Sequence, residues 1–366
     1  MKQLKLTFLA LVSIIVFDTV CLEHTVLIYD PTSSAHSDTV KNTLTTLNIS
    51  FEVTDTLNTN DDTLYIIFNV ESVDASNLPK NYIAYQTLDL SSNPIALDYE
   101  QKLSKAIAVW DYSRINITKY NSRIFHYNFL PANYAYADPV VLPCLLPLST
   151  LKNYKELLAY SNKENTDISS HLPTMFYYTV MQNPKLILEA GVRGGESTLA
   201  FNEAIKYCNS EIIGIDLERQ CELAYSKITN STFICINDMN FQHYYNNSRF
   251  NQTLFDVVFV DTSHEYHHTM GEITIFAPLL NKNGIMMFHD SNVTPLNNNT
   301  GYIRLNESYG SAHGNPHGVT QALKEYFSIN FNENAYCNFN FVKDNTTWQM
   351  IHYPFCNGLT VVKKLD

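Results

Sequence analysis

The sequence predicts an α/β protein in which a mostly parallel sheet is covered by helices on both faces, preceded by a smaller α/β unit. Three observations carry this. Between Pro184 and Asp290 apolar and amphipathic runs alternate: "PKLILEAG", "EIIGIDL", "TFICIND", "FDVVFVDT" and "GIMMFHD" read as strands, and "ESTLAFNEAIKYC", "RQCELAYSKI" and "HHTMGEITIFAPLL" as helices. The strands are continuously apolar, as parallel strands buried on both faces must be. The chain has 366 residues, 45% of them hydrophobic, which is enough for two cores.

Before that region the pattern is looser. Lys2 and Lys5 precede the apolar run at residues 6–17, "LTFLALVSIIVF". This is the layout of a secretory signal, and it falls short of the roughly 20 apolar residues of a spanning helix. Residues 1–21 are therefore expected to export the chain or tether it to a membrane. A buried first strand, an uncleaved anchor or a cytoplasmic protein are the alternatives, because "DTVCLEH" lacks a clean cleavage step.

In residues 22–150, "HTVLIYD", "TLYIIFNV" and "NYIAYQTL" read as strands, "SDTVKNTLTTLN" as a helix, and "DYEQKLSKAIAVWDYSRINITKY" carries apolar residues at helical spacing. Pro131, Pro139, Pro143 and Pro147 then punctuate the chain, which places a domain boundary near residue 150 and a second domain at 151–366.

The 24 basic and 36 acidic residues leave a formal charge of -12. No basic stripe for nucleic acid and no polybasic membrane patch is visible, so a small or weakly charged substrate fits better. Apart from Cys21, the six cysteines are scattered without C-x-x-C or zinc spacing and read as core thiols, with Cys337 and Cys356 a candidate pair for a bridge. The Asn-rich stretch 294–318 is long enough to be a lid or a disordered loop.

Ligands bind such sheets at the carboxyl ends of the strands, where the distinctive residues lie. In "LILEAGVRGGESTLAFNEAI", Glu189, Gly191, Gly195 and Ser197 form E-x-G-x-x-x-G-x-S at a strand-to-helix turn, where glycines let a ligand approach the backbone. Asp216 ends the next strand, where an acid can accept both ribose hydroxyls of a nucleoside. Asn237 and Asp238 end the third. Helix capping is the plain alternative for each acid.

In combination these motifs resemble class I S-adenosylmethionine-dependent methyltransferases, in the version found in small-molecule O-methyltransferases related to catechol O-methyltransferase. The resemblance implies a Rossmann-like C-terminal methyltransferase domain. It also implies that Glu189, Gly191, Gly195, Ser197, Asp216 and Asp238 hold the cofactor, with the acid at Glu189 meeting the ligand's ammonium through water. Further on, D-x-x-H-x-Y at Asp261, His264 and Tyr266, followed by "FHD" at Asp290, looks like the group that contains cephalosporin-hydroxylase-like and macrolide-sugar O-methyltransferases. That likeness runs over about residues 170–366.

Methyl transfer needs an acceptor oxygen near the sulfonium methyl and a weaker hold on its proton. Asp261 and Asp290 end adjacent strands and can share a hard cation such as magnesium. The catechol-type pattern adds an amide directly after the second acid; here Ser291 stands there and Asn292 follows. His264 occupies the place of that pattern's basic lysine and is the expected base, with Asp261 beside it. Tyr266, Tyr302 and Tyr309 are candidates for lining the acceptor site.

The stretch "NYIAYQTLDLSSNPIALDYEQKLSKAIAVWDYSRINI" is similar to a segment of bacterial and viral glycosyltransferase-like proteins, though no D-x-D motif accompanies it. The expected function is methyl transfer to a hydroxyl of a small molecule or sugar. A glycosyltransferase-like sugar-modifying protein, or a non-catalytic secreted binding protein that retains the fold, are the competing readings.

Overall fold

In the computed structural model the described residues are 25–32, 35–60, 62–88, 90, 95–112, 116, 127–129, 142–164, 166–292, 318–354 and 356–366. The leader at residues 1–21, Pro131 and Pro139, most of the 294–318 loop, and Tyr302 and Tyr309 lie outside them. Among the described residues no helix is long and apolar enough to cross a membrane. The chain divides into two compact units, Met1–Ala159 and Tyr160–Asp366.

The first unit is built on six parallel strands, β1 (Val26–Tyr29), β2 (Phe51–Thr54), β3 (Leu64–Phe68), β4 (Asn81–Gln86), β5 (Ala108–Asp111) and β6 (Tyr127–Phe129), in the order β2-β1-β3-β4-β5-β6. All five residues of β3, "LYIIF", are buried, as a central strand requires. Helix α1 (Ala35–Thr46) follows β1, and helix α2 (Leu97–Lys105) precedes β5. One face of the sheet packs Tyr65, Ile67, Tyr82 and Ala84 with Tyr99 and Leu103 of α2.

The helical spacing read from residue 98 holds through Lys105 and then gives way to a strand. Ala106 leaves the helix at φ -60°, ψ 152°, and Ala108–Asp111 pairs with β4 as a strand. Val109 and Trp110, both wholly buried, gain backbone partners in the sheet that a short helix end would not supply. Helix α3 (Leu151–Lys163) contains the point at which the two units divide.

The second unit opens with helix α4 (Leu172–Gln182) and then alternates β7 (Leu186–Ala190), α5 (Glu196–Ala204), β8 (Glu211–Asp216), the short α6 (Glu222–Tyr225), β9 (Ser231–Cys235), α7 (Phe241–Asn246), β10 (Phe255–Val260), α8 (Tyr266–Phe276) and β11 (Leu280–His289). Helix α9 (Gly318–Phe327) and strands β12 (Cys337–Lys343), β13 (Thr346–Tyr353) and β14 (Leu359–Lys364) complete it.

The strand order is β12-β13-β14-β11-β10-β7-β8-β9, in which β9, β8, β7, β10 and β11 run parallel while β14, β13 and β12 are joined by antiparallel pairings. This is the Rossmann-like layout, with an antiparallel extension at the β11 edge. Helices cover both faces. On one, Leu188, Ile213 and Val258 pack with Phe241, Ile273, Phe276 and Leu323; on the other, Phe201 of α5 meets Phe259 of β10 with ring centroids 5.7 Å apart.

Cys337 and Cys356 are both free, which removes the candidate bridge; among the described cysteines Cys144, Cys208 and Cys221 are buried.

Phe241 holds the first of those faces together, with its ring 5.6 Å from Phe276 and 6.1 Å from Phe255. Phe241→Ala should cost about 3–5 kcal/mol, read as a lower urea midpoint for the second unit, because the cavity is walled by rigid rings and cannot collapse.

Candidate active site

The glycine turn lies between β7 and α5. Gly191 sits at φ +86° and Gly195 at φ +84°, and Arg193 between them also has positive φ. A Cβ on Gly191 would lie 1.9 Å from the carbonyl oxygen of Asp261, and one on Gly195 would lie 2.5 Å from Cβ of Ala224. Both glycines are therefore demanded by the chain's own packing. Gly194 differs: a Cβ there would meet nothing within 4 Å, so the turn is open at this point.

Asp216 holds the turn in place. Its Oδ2 accepts from the backbone amides of Val192 and Arg193, each at 2.9 Å, and its Oδ1 from that of Glu218 at 2.9 Å. A carboxylate offers about four acceptor positions, and these three amides take most of them, with the Cys221 thiol beside it.

Glu189 is not exposed to a ligand at all. It is wholly buried, and it accepts from the hydroxyls of Ser197 and Tyr225, with Thr198 Oγ1 2.9 Å from its Oε2. The water-mediated ammonium contact implied by the resemblance is corrected on this ground. Glu189 and Ser197 instead tie β7 to the start of α5 from inside. Burial pushes the Glu189 carboxyl up to about 7, against the pull of its three hydroxyl donors.

At the carboxyl ends of β10 and β11, Asp261, His264, His289 and Asp290 converge. His264 Nε2 lies 2.9 Å from Asp261 Oδ1 and 3.0 Å from Asp290 Oδ2. His289 Nδ1 lies 3.3 Å from the same Asp261 oxygen and 3.2 Å from the same Asp290 oxygen. The other nitrogen of His289 faces two carbonyl oxygens, Asp167 at 2.9 Å and Cys356 at 3.3 Å. Both ring nitrogens of His289 thus face acceptors.

Burial alone would make both imidazoles shed their protons, but the charges of Asp290 and Asp261 outweigh it and raise His264 and, further, His289. In return Asp261 is held well below the usual carboxylate range: burial opposes this, but His289 and His264 override it. His264 and Asp290 both take positive φ, +59° and +54°, a costly conformation for residues with a Cβ. Neither oxygen of Asp290 has a hydrogen bond of proper geometry, although both are buried.

The remaining expected residues sit elsewhere. Asp238 begins a 3-10 turn after β9, buried, with its Oδ2 2.6 Å from His268 Nε2. Asn237 caps that turn through the Met239 amide. Ser291 turns away from the acids: Thr360 Oγ1 donates to it at 2.8 Å. Asn292 donates to the Pro354 carbonyl and keeps a buried Oδ1 without a partner. Tyr266 points to Glu325.

Thr198, Tyr225 and Glu272 are absent from the expected set. Tyr225 lies on a four-residue helix whose sequence gave no sign of its partner. Glu272, wholly buried, was visible as a lone acid in "MGEITIF", four residues after His268.

Residues 188–291 match a protein-family model described as a methyltransferase domain. The second unit contains a methyltransferase domain. No curated protein sequence matches the chain.

Distant structural similarity exists to the SAH-bound methyltransferase PaMTH1 of Podospora anserina (15% identity, 60% of this chain and 89% of that one, TM-score 0.39). It extends to an O-methyltransferase of Bacillus cereus in complex with SAH (14%, 59% and 90%, TM-score 0.37). A third is MycE of the mycinamycin biosynthetic pathway in complex with Mg, SAH and mycinamycin VI (16%, 54% and 49%, TM-score 0.32). In this chain's methyltransferase domain the matched segment runs from the middle of β7 to just past Asp290, and so takes in the glycine turn and all four members of the acid–imidazole cluster.

Gly191→Ala should destabilise the methyltransferase domain by about 3 kcal/mol or more, whereas Gly194→Ala should stay within about 1 kcal/mol, as read by urea unfolding of the two variants. The raised Glu189 carboxyl has a sign to match. Its folded pKa of about 7 exceeds the ordinary 4.5, so its contribution is greatest below pH 4.5 and declines as pH rises to about 7. The decline totals about 3 kcal/mol. Glu189→Gln should abolish that part of the pH dependence, measured as unfolding midpoints across the range.

Proposed function

We propose that the second unit transfers the methyl group of S-adenosylmethionine to a hydroxyl of a small molecule or sugar. The observation that carries this reading is the contact between the glycine turn and the acid–imidazole cluster, where Gly191 leaves only enough room for the Asp261 carbonyl. A sulfonium cofactor lying along the open side of the turn at Gly194 has its methyl next to the cluster. In-line displacement needs that adjacency.

Asp216, at the end of β8 beside the glycine turn, receives the ribose, and Asp238 flanks the base. His264, in its neutral form, takes the proton of the acceptor hydroxyl at Nδ1, since Nε2 carries the ring's own proton toward the two carboxylates. Asp261, 2.9 Å away, stabilises the imidazolium that forms, and Asp290 at 3.0 Å adds to it. The two carboxylates strengthen His264 as a base by the same interaction that raises its hold on a proton.

The residues also fit a divalent cation. Asp290 is buried with neither oxygen hydrogen-bonded, and Asp261, His264 and Asp290 each offer a ligand atom within 4.8 Å of the others. Asp261 and Asp290 would hold an ion such as magnesium, which lowers the pKa of a hydroxyl bound to it.

Calorimetric titration with S-adenosylmethionine and S-adenosylhomocysteine should give micromolar binding that Asp216→Ala weakens at least about tenfold. His264→Ala should leave that affinity intact and lower turnover about a hundredfold once an acceptor is in hand. A folded wild-type protein that binds neither compound would sink this reading.

A further inference from the structure

A second buried cluster lies apart from the acid–imidazole group. Glu272 of α8 is wholly buried; its Oε1 accepts from Thr262 Oγ1 at 2.6 Å, and its Oε2 is buried without a partner. Nearby, Asp238 Oδ2 accepts from His268 Nε2 at 2.6 Å, and His268 Nε2 lies 3.9 Å from Glu272 Oε1. The three side chains each bring a polar atom within 4.8 Å of the others. His268 and Glu272 are four residues apart and share one face of α8.

Charge decides how this cluster is held. Two ionised carboxylates around a single imidazole leave a net negative charge in the interior whichever state the imidazole takes, which is costly. A proton on Glu272 reduces that charge and also supplies the missing partner: Oε2–H becomes a donor toward the Asp238 carboxylate. The electrostatics agree. Burial, followed by the charge of Asp238, raises Glu272 well above the usual carboxylate range, whereas in Asp238 the effect of burial is overcome by His268. Met239 packs against Gly271 on the same side of α8, where a Cβ would meet its Cε at 2.2 Å, so the 238–240 turn is seated on the helix at two points.

The topology gives this strut something to do. Asp238 follows β9 and Thr262 follows β10, and in the sheet these two strands are separated by β7 and β8. No ladder joins their ends directly. We propose that Glu272 is a positioning residue which, as a neutral acid, accepts from Thr262 and donates to Asp238, and so fixes the turn under the cofactor's base relative to the Asp261 turn at the reacting end. The part concerning the cofactor rests on the methyl-transfer reading above; the strut itself does not.

Two variants test it. Glu272→Gln keeps a neutral group able to accept from Thr262 and donate to Asp238, while Glu272→Met fills the same space with neither ability. Amide hydrogen exchange without any cofactor should show residues 238–241 exchanging about tenfold faster in Glu272→Met and unchanged in Glu272→Gln. Affinity for S-adenosylhomocysteine should follow the same split, about tenfold weaker for Met and within about twofold for Gln.

If Gln fails as Met does, with bound metal present in the wild type and lost in both, the cluster is a metal site and the proposal is overturned. Unchanged exchange in Glu272→Met overturns it as well. Wild-type protein that does not bind the cofactor, yet shows the exchange split, removes the methyl-transfer reading and leaves the strut standing.

Discussion

Placing carboxylates at the buried ends of parallel strands is the constraint on which the second unit is organised. Four strand-end acids, Glu189, Asp238, Asp261 and Asp290, are enclosed wholly or largely within it together with Glu272 of α8, and an isolated buried charge is too costly to keep. The chain answers in three different ways. Glu189 is surrounded by hydroxyl donors. Asp261 and Asp290 share two imidazoles. Asp238 and Glu272 share one imidazole, which leaves a proton to complete the balance. Each solution suits a different task, because hydroxyls anchor without moving charge, whereas paired imidazoles and carboxylates can exchange protons.

The same constraint explains what was legible in the sequence. Strand ends declare themselves when an apolar run stops at an acid, so Glu189, Asp216, Asp238, Asp261 and Asp290 could be found by reading along the chain. Their partners could not. Tyr225 reaches Glu189 from a helix 36 residues away, and Thr262, Glu272, His268 and Asp238 meet only because α8 folds back over the sheet. The Glu189 misreading has the same origin. A strand-end acid looks the same in sequence whether it faces the ligand or the wall behind it.

The misread elements in the fold are instructive too. In "AIAVWDYS" helical spacing and strand character overlap, and only the parallel pairing with β4 decides between them. In β12, which is left unassigned from the sequence, "CNFNF" alternates and its burial alternates in step, but Val342 turns to solvent at 69% exposure and breaks the pattern.

The antiparallel extension bears on the site through the residue after Asp290. Ser291 occupies the place where the catechol-type pattern carries an amide, and its hydroxyl is engaged inward. Thr360 Oγ1 of β14 lies 2.8 Å from Ser291 Oγ and 2.8 Å from His352 Nδ1 of β13, while His352 Nε2 donates to the Glu333 carbonyl at 2.8 Å. Burial keeps the His352 imidazole below its ordinary range. On the neighbouring strand, β14 pairs with β11 through Leu359 opposite His289. The end of β11 is therefore gripped on both sides of Asp290. A residue held at positive φ with its carboxylate facing two imidazoles needs such a grip, since relaxing the backbone would swing the acid out of the cluster. Serine at this position is thus part of the clamp that delivers Asp290.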